Sequence, residues 1–272
     1  MTTRPFTETQ RRQFEEDGFF FLRDLLTPAE TAELSRRIDD LMDGRIARPG
    51  MFFQRDSGTG DYDGVQWDTT RFSGPSRDYR KIKGFEYDPL FLALFQCATI
   101  RSLSEALIGP AVSSMRAMLF NKPARIAGEL PFHQDVSAKW PMSASPSLTL
   151  WIALDDATVE SGCMEFAVGS HKHGRIGDGH LLKAEDEARY APADRRRMIE
   201  LKAGDAVVFH CALLHRSGPN KTDNSRRAMT LCLMDANIRH TKSGRTYPVI
   251  FGPGALDPAA VATLERIELV ES

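Results

Sequence analysis

Beyond residue 111 the chain breaks into short apolar runs, at 113–121, 148–154, 164–168, 198–201, 206–209 and 228–234. Turn residues separate most of them: Pro141, Pro146, Gly162, Gly169, Gly204-Asp205 and Gly218-Pro219. Many short strands closed by turns build an antiparallel sandwich or barrel. The fold expected is mainly β with flanking α.

Upstream the signals are helical. Thr27-Pro28-Ala29-Glu30 offers a capping threonine, a proline for the first turn and a glutamate that can close a capping box. Leu34, Ile38 and Leu41 follow at helical spacing. A short helix is expected over 8–17, leading into Asp17-Gly18 and the apolar run 19–22. Two more helices are expected near 88–96 and 98–108, ending at Gly109-Pro110. Ahead of these two, 49–80 mixes Gly50, Gly58, Gly60, Gly64 and Gly74 with Phe52, Gln54, Arg55, Gln66, Trp67 and Arg71. A weakly periodic segment this long reads as a lid or binding loop. The expectation is one domain over 1–272. It has a mostly helical 1–110 with the lid, a β core over 111–240, and a 241–272 extension with a helix near 257–265.

Composition narrows the function. Lys and Arg number 35 against 37 Asp and Glu, so no global basic field recruits nucleic acid or an anionic membrane. No run approaches the ~18 apolar residues of a membrane span, and the first residues lack the apolar core of a signal peptide. Cys97, Cys163, Cys211 and Cys232 are scattered, with no Cys-x-x-Cys pair. That pattern suits reduced thiols, and a cytoplasmic location is expected. Oligomeric state has no readable signature.

The chemistry gathers around histidines. His133 and Asp135 are two apart in Pro131-Phe132-His133-Gln134-Asp135, and on a strand such residues share a face. A second histidine from a distant strand would complete a two-histidine, one-carboxylate facial triad, which suits non-haem Fe(II) with adjacent positions left open. A bare His-x-Asp is also what a hydrogen-bonded surface pair looks like. Further along, Gly204-Asp205 feeds an apolar strand ending at His210, and His215-Arg216-Ser217-Gly218-Pro219-Asn220 precedes Arg226-Arg227.

With these pieces in order, the chain resembles the phytanoyl-CoA dioxygenase (PhyH-like) family of Fe(II)/2-oxoglutarate oxygenases. The likeness includes Phe14-x-x-Asp17-Gly18-Phe19, Asn121-Lys122-Pro123, His133-Gln134-Asp135, 151–156, Gly162-Cys163-Met164, Gly169-Ser170-His171 and His215-x-Ser217-x-x-Asn220. It implies a double-stranded β-helix (jelly-roll) core with N-terminal helices packed outside. It implies His133, Asp135 and His215 as metal ligands, and Arg226 on the far carboxylate of 2-oxoglutarate, where a guanidinium fork matches a carboxylate. Ser217 resembles a hydroxyl contact to that cosubstrate. Met118 and Trp151 fall where relatives line its pocket. Lys81 resembles a lysine reaching it from the helical side, with Lys83 a close alternative. Arg227, one residue on, would face away from Arg226 on a strand. His210 is the rival to His215 but lacks the Ser-x-x-Asn tail.

The implied activity is hydroxylation of an aliphatic C–H, consuming O2 and yielding succinate and CO2. The carboxylate of Asp135 disfavours halogenation, since halogenating relatives carry a small residue there. Desaturation, cyclisation and epimerisation stay open. Gln66, Trp67, Arg71 and Trp140 are candidate substrate contacts, each with loop packing as the plainer role. The polar 49–80 segment suits a hydrophilic metabolite more than a bare fatty chain. Two other classes compete: a cupin-like metalloenzyme without 2-oxoglutarate, and a non-catalytic jelly-roll binding protein.

Overall fold

A computed structural model of the chain describes residues 3–56, 71–125, 128–177 and 181–270. The chain starts with α1 (Glu8–Glu16), β1 (Phe19–Leu22) and α2 (Pro28–Met42). Then come β2 (Phe52–Arg55), β3 (Tyr79–Lys83), α3 (Pro89–Phe95) and α4 (Ala98–Leu107). The core strands are β4 (Val112–Lys122), β5 (Leu130–His133), β6 (Leu148–Ala153) and β7 (Met164–Ala167). After α5 (Ala184–Tyr190) follow β8 (Arg196–Ile199), β9 (Ala206–His210), β10 (His215–Ser217) and β11 (Arg226–Asp235). The chain closes with β12 (Val249–Phe251) and α6 (Pro258–Ala262).

Local chemistry accounts for the first two helices. α1 starts at a capping box between Thr7 and Gln10, and α2 at one between Thr27 and Glu30, where proline also takes the first turn. Each box satisfies backbone N–H groups that a helix start leaves orphaned.

Two antiparallel sheets face each other. The larger runs β1-β9-β6-β11-β4-β3-β2, with β12 also on β4; the smaller runs β5-β10-β7-β8. This is the expected jelly-roll arrangement. Along β9, Ala206 and Val208 join the core under the helices, while Val207 and Phe209 pack between the sheets. β6 divides likewise, with Leu150 and Ile152 outside and Trp151 and Ala153 inside. A strand buried on both faces carries an unbroken apolar run, which is why 148–154 does not alternate.

Several expectations change. The helical region contributes β1, β2 and β3 to the large sheet, and β12 does the same from the C-terminal extension. The core therefore extends beyond 111–240. The described parts of the expected lid include β2 and the start of β3, paired Phe52 to Lys83, Phe53 to Ile82 and Gln54 to Lys81. The strand expected over 198–201 is displaced to Arg196–Ile199, and α5 lies in a stretch where no helix was expected. Gln66 and Trp67 fall outside the described residues.

Candidate active site

The small sheet presents the ligand candidates. His133 is the last residue of β5 and His215 the first of β10, paired as direct neighbours. Their rings lie 4.1 Å apart between centroids. Asp135 sits just past β5 rather than on it, with its N–H on the Cys211 carbonyl at 2.8 Å. Gln134 shapes that step. Its buried amide donates to Gly174 O and Ala212 O and accepts from Ile176 N, so the turn is held and its neighbours face inward. Ligand atoms of His133, Asp135 and His215 all lie within 4.8 Å of one another, and all three residues are buried.

Protonation follows from the surroundings. His133 Nδ1 lies 2.9 Å from Pro131 O, and His215 Nδ1 lies 2.9 Å from Leu213 O. A carbonyl only accepts, so each Nδ1 carries the proton and each Nε2 keeps its lone pair for a metal. Burial pushes His215 below the usual histidine range despite Asp135 beside it, which favours the neutral ring a metal requires. Burial opposes ionisation of Asp135. The Arg116 guanidinium and the Thr149 hydroxyl outweigh it, joined by the two histidines when these are protonated, and hold the carboxyl well below its usual range. Arg116 Nη2 donates to Asp135 Oδ1, and Thr149 Oγ1 donates to Oδ2 at 2.8 Å.

The triad opens into a cavity of about 310 Å³. Met118, Trp151, Ser217, Arg226 and Trp140 line it, as do both Lys81 and Lys83. Lys81 comes from β3, a strand of the large sheet, and not from the helical side. Trp151 packs between the sheets and lies under the Arg226 guanidinium, 5.1 Å from ring centroid to carbon. Arg71 is exposed and is not among the described lining residues.

Arg226 is the residue most suited to an anionic ligand. It is 2% exposed, and one donor, Nη2, reaches Gly162 O at 3.0 Å. Nε and Nη1 are buried without a hydrogen-bond partner among the described residues. Burial lowers its pKa to about 10, so it remains charged at neutral pH. A buried guanidinium with open donors facing a cavity is suited to a carboxylate. The donor set thus fits both implied groups: two neutral imidazoles and a carboxylate for Fe(II), and a guanidinium fork for a dicarboxylate.

The rivals lie elsewhere. Arg227 is occupied by Asp155 and Asp39 outside the sheet. His210 accepts from Ala212 N at 3.0 Å and packs at a tilt against the Phe14 and His171 rings, with its pKa pushed down to about 4 by burial. Arg116 and Thr149 were not singled out from the sequence. Each stands two residues before an expected lining residue, Met118 or Trp151, so strand periodicity placed them on the same face.

Fold and site together define the jelly-roll, non-haem iron oxygenases that use 2-oxoglutarate. Residues 14–228 match the family model for phytanoyl-CoA dioxygenase (PhyH). A probable phytanoyl-CoA dioxygenase of Caenorhabditis elegans is 26% identical over 235 residues, covering 81% of this chain and 73% of its own. The mouse phytanoyl-CoA dioxygenase domain-containing protein 1 is 27% identical over 267 residues, covering 84% of this chain and 90% of its own. Among solved structures, apo EctD from S. alaskensis superposes with a TM-score of 0.70 at 22% identity, over 98% of this chain and 89% of that one. The α-ketoglutarate-dependent epimerase SnoN from nogalamycin biosynthesis gives 0.64 at 24% identity, over 87% and 86%. The chain belongs to the phytanoyl-CoA dioxygenase family. It is an Fe(II)/2-oxoglutarate-dependent dioxygenase.

Proposed function

We propose that the enzyme hydroxylates an aliphatic carbon of a small polar metabolite, with His133, Asp135 and His215 holding Fe(II) and Arg226 holding the distal carboxylate of 2-oxoglutarate. The observation that carries this reading is the buried Arg226 with two open donors in the same cavity as the triad. Ser217, two residues past His215, lines the cavity with it. When bound, iron and 2-oxoglutarate supply the oxidising power, with O2 consumed and succinate and CO2 released.

The protein orients and insulates. Pro131 and Leu213 carbonyls fix the histidine tautomers, while Arg116 and Thr149 hold Asp135 ionised and aimed. Trp151 and Met164 wall the inner cavity with apolar surface, which limits water near the metal. Toward substrate the lining is mixed: Asp56, Glu129 and Arg216 stand with Phe120, Leu130 and Trp140. That mixture supports a hydrophilic substrate over a bare alkyl chain. Lys81 and Lys83 line the same space and are placed by this reading near the cosubstrate or substrate. A cytoplasmic setting belongs to the same proposal, supported by four unpaired cysteines.

A metabolite panel assayed for coupled succinate release tests the substrate class. Stimulation by amino acids, sugar derivatives or phosphonates supports it; stimulation by acyl-CoA or lipid alone overturns it. A cosubstrate-independent, cupin-like activity would instead survive Arg226→Ala unchanged.

A further inference from the structure

Lys122 occupies an unusual position. It ends β4 directly opposite Arg226 on β11, in an antiparallel register that puts both side chains on one face. Both are buried, and both line the cavity of the triad. Directly opposed like charges destabilise a strand pair. Burial makes that worse, because little water screens them. The Lys122 ammonium donates to the Gly128 carbonyl at 2.7 Å. That bond uses one of three N–H donors and neutralises no charge.

We propose that Lys122 is a second cation for the distal carboxylate of 2-oxoglutarate, gripping it together with Arg226. The proposal rests on the reading of Arg226 as the carboxylate site. A carboxylate between the two cations turns a repulsive pair into a bridged one, and it fills the open Nε and Nη1 donors of Arg226.

The pairing has a consequence for protons. Burial first, then Arg226 and Arg80, pushes Lys122 down to about 7, against the opposite pull of Asp56 and Glu129. At neutral pH and above, the free protein therefore holds much of Lys122 as the neutral amine. An arriving carboxylate favours the ammonium, so the amine takes a proton from solvent as the cosubstrate binds. Below about pH 6 the proton is already present and no uptake follows. Above pH 7 the uptake approaches one per cosubstrate, and affinity falls by about tenfold per pH unit until the bound-state pKa is reached. This sensitivity belongs to cosubstrate binding and not to the chemical step.

The test is calorimetric binding of 2-oxoglutarate to Mn(II)-loaded protein, from pH 6 to pH 9, in buffers of different ionisation enthalpy. Wild type should take up almost no proton at pH 6 and close to one at pH 8. Lys122→Met should bind more weakly at pH 6, by about tenfold or more, and take up no proton at any pH. Lys122→Arg should restore tight binding and keep it at pH 8.5, again without uptake, because the guanidinium is charged throughout. The analogue 2-oxopentanoate, lacking the distal carboxylate, should show no uptake in any of the three proteins. Equal uptake in wild type and Lys122→Met overturns the proposal. So does a Lys122→Met protein that loses 2-oxoglutarate and 2-oxopentanoate affinity alike, which would make Lys122 only an anchor for Gly128. Wild type that binds both ligands equally would instead remove the underlying reading of Arg226, and this proposal with it.

Discussion

Arg226→Met separates a cosubstrate residue from a structural one. The methionine keeps an apolar stem over Trp151 and removes the guanidinium. Two charge-assisted hydrogen bonds to a carboxylate are worth ~1.5–3 kcal/mol each. Their loss should cost at least about 3 kcal/mol of 2-oxoglutarate binding, or about 100-fold in Kd. The ligand-free protein should respond oppositely. Nε and Nη1 are buried and unpartnered, a burden of ~1–3 kcal/mol per donor that the substitution relieves. Against this stand the bond to Gly162 O and the Trp151 contact, together ~1–3 kcal/mol. Stability of the metal-free, cosubstrate-free variant should therefore equal or exceed that of wild type. Denaturant melts of the free protein and titrations of the Mn(II) form measure both. A variant that binds 2-oxoglutarate within about threefold of wild type would refute the assignment. So would one that loses more than ~2 kcal/mol of ligand-free stability, since the arginine would then be structural.

Thr149→Val removes the hydroxyl that donates to Asp135 Oδ2 while conserving shape, so metal affinity should fall ~10–100-fold with the fold intact, as read by competitive metal titration. Gly162→Ala should lose ~1–3 kcal/mol of stability and weaken 2-oxoglutarate binding, because φ is +77° and a Cβ would collide with Gly218 O beside the carbonyl that anchors Arg226. Glu86 is buried, and burial pushes its carboxyl up from 4.5 to about 7. Its folded value exceeds its unfolded one, so wild type is most stable below pH 4.5 relative to this group and loses that stability as pH rises toward 7. Glu86→Gln should be more stable than wild type by up to ~3 kcal/mol at pH 8, with the gap closing toward pH 4.5 in denaturant melts.

The metal centre was legible because its ligands lie in two compact motifs, each at the end of a short strand flanked by turns. The core strands were legible as apolar runs, since both faces of the large sheet are covered. What escaped was governed by distant contacts. β2 and β3 read Phe-Phe-Gln-Arg and Tyr-Arg-Lys-Ile-Lys, sequences whose charges suggest a loop. Lys81 and Lys83 are tolerated on β3 because their face borders the cavity, and no local pattern carries this information. Lys81 was assigned a cosubstrate role from the family resemblance, yet its element was misplaced for the same reason. The offset of Asp135 from β5 depends on Gln134 bonding to Gly174, Ile176 and Ala212, about 40 to 78 positions away. Arg116 and Lys122 were within reach of strand periodicity counted from Met118, but their importance appears only when Asp135 and Arg226 are seen opposite them.

Assignment of the iron that 2-oxoglutarate chelates to His133, Asp135 and His215 is open to an anaerobic titration of metal-free protein with Fe(II) and 2-oxoglutarate, read by the weak visible charge-transfer absorption of the chelate. A band is expected in wild type and in His210→Ala, and none in His215→Ala. A folded wild-type protein without the band, or a band that persists in His215→Ala and disappears in His210→Ala, would contradict that assignment.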